Sequence, residues 1–234
     1  MNAFEHFSTE HIVMLITIAA AITLGLLILA RVSDKTAMNA ARVLAIITLI
    51  GEALQDILLI KDGGNIIDFL PLHLCNLGIF VNLAAAYSRN KIQGFFAEIS
   101  LLLIMPGAVG ALIFPDWNYR PFWSYLPMLC FLTHSLLVFI PLLFLVRGKA
   151  HITFKHFWYS YLFLLLVVPP IYLLNRHAGT NYMYLMYPPK SSPLDWIISI
   201  TGEQYYLIGL AALVTVILFA EYLLYTGARK LMRK

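Results

Sequence analysis

The sequence predicts an all-α, polytopic membrane helix bundle of about seven transmembrane helices, its N-terminus outside and its C-terminus cytoplasmic. Three observations carry that reading. Hydrophobic residues make up 61% of the 234-residue chain and charged residues only 12%, which excludes disorder and is extreme for a soluble domain. Several apolar runs reach the roughly 20 residues that cross a bilayer core. The basic residues alternate between the two sides. Of the 16 Lys and Arg residues, only Lys61, Arg120, Arg176 and Lys190 fall after spans two, four and six. The other twelve lie after spans one, three and five and in the tail, a strong positive-inside signal.

The spans fall at about 12–30, 43–60, 70–87, 94–114, 121–146, 157–174 and 204–226 of a single bundle domain, 1–234. The N-terminal residues, with Glu5, His6 and Glu10, lack the basic start and cleavage site of a signal peptide, so span one is expected to be retained. Span two carries Glu52, Gln55 and Asp56, and Lys61-Asp62-Gly63-Gly64-Asn65 after it forms turns. Span three opens with Leu70-Pro71-Leu72-His73-Leu74-Cys75-Asn76; a proline suits a first helical turn, which sets the expected helix start near Pro71. In span four, Met105-Pro106-Gly107 predicts a kink. Phe114–Pro121 is an aromatic interfacial connection to span five. The stretch 175–202 is longest and too short to span, and reads as an outer lid. The elaborate connections lie on the outer side, which makes that side the working face.

Polar groups inside hydrocarbon are costly and mark functional sites by default. Helical rise places Glu52, Asp56, His73, Cys75 and His134 in the outer half of the bundle. Glu52 and Asp56, four apart, share a helical face, as do His73 and Asn76, three apart. His73 and Cys75, two apart, point to nearly opposite sides of a regular helix, so a base for Cys75 comes from another helix. His134 is the candidate, with Asp56 or Glu52 to orient an imidazole. Cys75 and Cys130, the only cysteines, are expected to be buried free thiols rather than a disulfide. His73-x-Cys75 with His134 has no zinc spacing. No phosphate-cradling loop or nucleic-acid surface is present, so no metal, cofactor or nucleic-acid partner is expected.

Leu70-Pro71-Leu72-His73-Leu74-Cys75, His134-Ser135 and Gly179-Thr180-Asn181-Tyr182-Met183, in this order on seven spans, resemble the YwaF-like bacterial integral membrane proteins. That family is distantly similar to the transmembrane protein 164 acyltransferases, which move fatty acyl chains onto lysophospholipids with a cysteine and a histidine. The resemblance covers nearly the whole chain and implies a bacterial plasma-membrane protein. Its implied partners are membrane lipids: a phospholipid or lysophospholipid and an acyl donor. Under it Cys75 is the nucleophile, His134 the general base and Glu52 or Asp56 the orienting carboxylate. His73, Asn76, Asn181 and Tyr182 are candidate substrate contacts. The competing reading is a small-solute or proton-coupled carrier using Glu52 and Asp56.

Overall fold

A computed structural model of the chain describes residues 4–189 and 192–231; Lys190 and Ser191, within the expected lid, lie outside the described residues. The described residues form helices joined by short connections, in two compact units, Met1–Ala150 and His151–Lys234. Six helical segments are long and apolar enough to cross a membrane: Thr9–Ala30, Asp34–Lys61, Asn90–Ile113, Tyr125–Val146, Phe154–Ala178 and Glu203–Lys230.

In the first unit, α1 (Thr9–Ala30) starts at Ser8, whose hydroxyl accepts from the His11 amide. Ser33 caps α2 (Asp34–Lys61) in the same way, through the Thr36 amide. The third apolar helix departs from expectation. It is α3 (Leu74–Tyr87), starting three residues after Pro71. Asn65 caps a 3₁₀ turn over Ile66–Phe69, and the Leu72 amide then donates to the Leu70 carbonyl at 2.7 Å. Pro71 therefore sits in a tight turn, which its fixed φ also suits. His73 becomes the extended residue before the helix. At 14 residues α3 rises only about 21 Å, short of a ~30 Å core.

The expected kink at Met105-Pro106-Gly107 takes a specific form. Between α4 (Asn90–Ile99) and α5 (Met105–Ile113), Ser100–Ile104 is a π-helical turn in which the Met105 amide donates to Ser100, five residues back. Pro106 has no amide hydrogen and its ring crowds the carbonyl four residues earlier, so a wider turn relieves both problems. This turn is the most buried part of the unit, with Ile99, Leu101 and Ile104 wholly enclosed. The long helix α6 (Tyr125–Val146) supplies the rest of the centre through Leu137, Ile140, Leu143 and Phe144.

Lipid is as apolar as a protein core, so close backbone approach holds such helices together more than hydrophobic burial does. Helix α2 turns Ala37, Ala41, Ala45 and Gly51 inward. Helix α3 lays Gly78 directly against Ile104 of the π turn. Large apolar side chains such as Ile16, Leu24, Leu27 and Ile50 face outward, as lipid-exposed surfaces require.

In the second unit α7 (Phe157–Ala178) ends at Gly179, which adopts the left-handed conformation (φ 70°) that glycine tolerates. Helix α9 (Tyr206–Leu231) packs on α7 through Phe157 against Phe219 and Tyr222, and Tyr161 donates to Thr215 at 3.1 Å. The short α8 (Asp195–Thr201) lies against Gly209 of α9.

Candidate functional site

Helices α2 and α3 run antiparallel, pinned at one end where the Arg42 guanidinium donates to the Ala86 carbonyl at 3.0 Å. At the other end the Asn76 carboxamide donates to the Glu52 carboxylate in a very short contact. Helix α6 closes against both. There the Cys130 thiol donates to the Gln55 side-chain oxygen at 3.1 Å, and the Thr133 side approaches Gly51. Glu52, Gln55, Asn76 and Cys130 thus meet inside one three-helix junction.

Cys75, adjacent to Asn76, is the second residue of α3 and half-buried; Cys130 is buried, and neither is in a disulfide. Glu52 acts electrostatically on both thiols. Asp56, one turn further along α2 from Glu52, is half-buried and acts on Glu52 and Cys130. His134 donates from Nδ1 to the Cys130 carbonyl at 2.8 Å. Since a carbonyl can only accept, Nδ1 carries the proton and Nε2 is the basic nitrogen of the neutral ring.

Two residues that sequence reasoning passed over complete the cluster. Both sit in the connection between α5 and α6, which had been read only as interfacial aromatics. Trp117 is buried and tilts over His134 with ring centroids 4.8 Å apart, and it meets Phe131 edge-on at 5.6 Å. Asp116, exposed beside it, acts electrostatically on His73, Cys75, Cys130 and His134. Burial pushes the His73 imidazole below its ordinary value, with Asp116 acting in the other direction. The connection is fastened at both ends. Arg120 and Tyr125 both donate to Asp62, at 3.3 and 2.6 Å, and His6 bonds the Pro115 carbonyl at 2.9 Å. Only tertiary packing shows that Trp117 turns inward and brings Asp116 near the histidines and thiols; no spacing in the sequence signals it.

Asn181 and Tyr182 lie in the second unit. The Asn181 carboxamide donates to the Tyr187 carbonyl at 2.8 Å and accepts from the Met186 amide at 3.0 Å. Asn175 accepts from the Tyr182 amide at 2.9 Å and donates to its carbonyl at 3.0 Å, and Tyr182 is enclosed. Both carboxamides therefore hold the fold of their own segment.

A family model described as the TMEM164 family matches residues 6–222. The chain belongs to the TMEM164 family. The match takes in every side chain described in this site, and together with the apolar helices it makes this TMEM164-family chain a multi-span membrane protein. No curated protein and no solved structure matches the chain.

The Glu52–Asn76 pair yields a first prediction. Glu52 is only 9% exposed, so removing its donor strands a buried acceptor. Asn76→Leu is expected to destabilise the protein by about 1–3 kcal/mol, measured as thermal unfolding in detergent. The double substitution Glu52→Leu/Asn76→Leu should recover most of that loss. An Asn76→Leu variant as stable as the parent would show that the pair carries no stability.

Proposed function

We propose that this TMEM164-family protein is a lipid acyltransferase, with Cys75 as nucleophile and His134 as general base. The observation that carries the proposal is the His134 tautomer: its Nδ1 proton is committed to the Cys130 carbonyl, which leaves Nε2 as acceptor, on a helix packed against the one that bears Cys75. Family membership over residues 6–222 supports the same reading.

In the first half-reaction the Cys75 sulfur attacks the ester carbonyl carbon of a donor phospholipid while His134 takes the thiol proton. The proton passes to His134 as the C–S bond forms. Collapse breaks the ester C–O bond; the departing alkoxide takes the proton from His134, releasing a lysolipid and leaving an acyl thioester. The second half runs in reverse: His134 takes the proton of an acceptor lysolipid hydroxyl, that oxygen attacks the thioester, and Cys75 regains its proton. Glu52, held by Asn76, and Asp56 would keep the junction polar. His73 and Asn76 would meet the headgroup side, and Asn181 and Tyr182 would shape the 175–202 segment of the second unit.

The test uses purified protein in lipid vesicles with acyl-labelled phospholipid and unlabelled lysolipid. Transfer of label, with a hydroxylamine-labile acyl group on Cys75 by mass spectrometry, is the expected result; transfer without any acylated protein would remove the nucleophile. The buried Glu52, with Asp56 one turn away, also favours a carrier. Under that reading Glu52→Gln, and not a cysteine variant, would abolish activity, and activity would be read as solute flux.

The site is proposed to open toward the outer leaflet, on the strength of the basic-residue asymmetry. A cysteine introduced at Ser192 is expected to label with a membrane-impermeant maleimide on intact cells, and one at Lys149 only after permeabilisation. The reverse pattern would invert the orientation.

A further inference from the structure

The site contains a hydrogen-bond donor with nothing to donate to. Trp117 is 5% exposed, and its indole Nε1 is enclosed without an acceptor. A buried N–H in that condition costs about 1–3 kcal/mol, and most buried donors in native proteins are satisfied. A second buried polar atom, Thr133 Oγ1, is also unmatched; it belongs to the residue before His134 in α6 and lies toward Gly51 of α2. The indole ring itself tilts over His134. The surroundings of Trp117 are aromatic, with Phe131 on its edge and Phe122 against Phe131.

We propose that Trp117 Nε1–H is the donor for the ester carbonyl oxygen of a bound lipid, so that Trp117 is a substrate-contacting residue of this site. The inference deepens and rests on the acyl-transfer reading. Two kinds of lipid oxygen could accept this hydrogen bond, a phosphate or an ester carbonyl. The neighbourhood selects the carbonyl. A phosphate would have to shed its water among Phe122, Phe131 and the indole, next to the exposed carboxylate of Asp116. A neutral carbonyl meets neither cost. A donor in this place also orients the ester: its carbonyl carbon is then held near His134, whose proton chemistry the reaction needs.

The test reads Trp117 directly. Replacing Trp123, Trp158 and Trp196 with Phe leaves Trp117 as the sole indole among the four tryptophans. The protein is held in alkyl maltoside micelles, which carry no carbonyl. Three probes are added: monooleoylglycerol (an ester without phosphate), its ether analogue (neither carbonyl nor phosphate), and an ether lysophospholipid (phosphate without carbonyl). The expected result is a red shift of Trp117 emission with the ester alone. In an otherwise native protein, Trp117→Phe keeps an aromatic ring beside His134 and removes the N–H together with part of the indole, a loss of volume that ester and ether probes feel alike. It should lose about tenfold of the affinity for the ester over the ether, the worth of one hydrogen bond.

A shift with the ether lysophospholipid would assign the donor to phosphate and overturn the carbonyl. No shift with any probe, or equal ester preference in Trp117→Phe, would overturn the proposal altogether. The two readings fail separately. A Trp117 response to ester in a protein whose cysteine variants all transfer acyl chains normally would leave the binding role and remove Cys75. Acyl transfer that depends on Cys75 with a silent Trp117 would do the opposite.

Discussion

Cys75→Ser is expected to lower acyl transfer by roughly a thousandfold or more, because a hydroxyl is far harder to deprotonate than a thiol and a far weaker nucleophile. The exchange barely changes volume, and Cys75 is half-buried at the second position of α3, where serine is tolerated. Thermal unfolding and lipid binding should therefore stay close to those of the parent. Cys130 provides the control. It occupies the same junction, one turn of α6 before His134, but its thiol already donates to Gln55. A serine hydroxyl can make that bond as well, so Cys130→Ser should retain turnover within a fewfold. His134→Ala should match Cys75→Ser in turnover and also slow alkylation of Cys75 near neutral pH. Equal loss in both cysteine variants would mean that the junction, rather than one sulfur, is what activity requires. Normal transfer by Cys75→Ser would end the nucleophile assignment.

The second large effect is structural. A Cβ on Gly78 would lie 2.2 Å from Ile104 Cγ2 and 3.3 Å from its Cβ and Cγ1. Ile104 cannot move aside easily, because branching at Cβ stiffens it and it is wholly enclosed in the π turn. Gly78→Ala gains up to ~1 kcal/mol of helix propensity. Overpacking costs about 1–3 kcal/mol, so the net change should be destabilising. Gly78→Leu should cost about 3 kcal/mol or more and abolish a cooperative unfolding transition in detergent. Gly110, on the next helix with nothing within 4 Å of a built Cβ, is the reference site; Gly110→Ala should be neutral or stabilising. A Gly78→Leu variant that unfolds like the parent would mean that α3 does not approach the π turn this closely.

What could be read from the chain divides along a physical line. Apolar run length depends on solvent alone, and the six long spans follow from it: Tyr125–Val146 and Phe157–Ala178 end within a turn or so of expectation, whereas Asp34–Lys61 begins well before the expected residue 43 because Ser33 caps a polar first stretch that hydropathy does not register. The opening of α3 was misplaced because a proline's fixed φ serves a tight turn and a first helical turn equally, and Asn65 with its 3₁₀ turn decided between them. Glu52 and Asn76 were recognised as expensive groups, each on its own helix, but their mutual contact depends on antiparallel register, which no periodicity reports. Asp116 and Trp117 escaped altogether. A tryptophan near a predicted membrane boundary ordinarily sits at the headgroups, and only the fastening of its connection to Asp62 and His6 turns it inward.

The π turn acts on residues well beyond its own five. A residue accommodated in excess of the 3.6-per-turn repeat rotates everything downstream by about 100° around the helix axis. Helix α5 is therefore out of phase with α4, and the strand of chain that leaves it at Phe114 emerges on a different azimuth than a regular helix would provide. Three residues on from Phe114 the chain reaches Trp117, whose indole packs on His134. The phase slip before Pro106 and the ties to Asp62 and His6 thus bear on the same indole, the first by setting where the chain leaves α5 and the second by holding the connection in place.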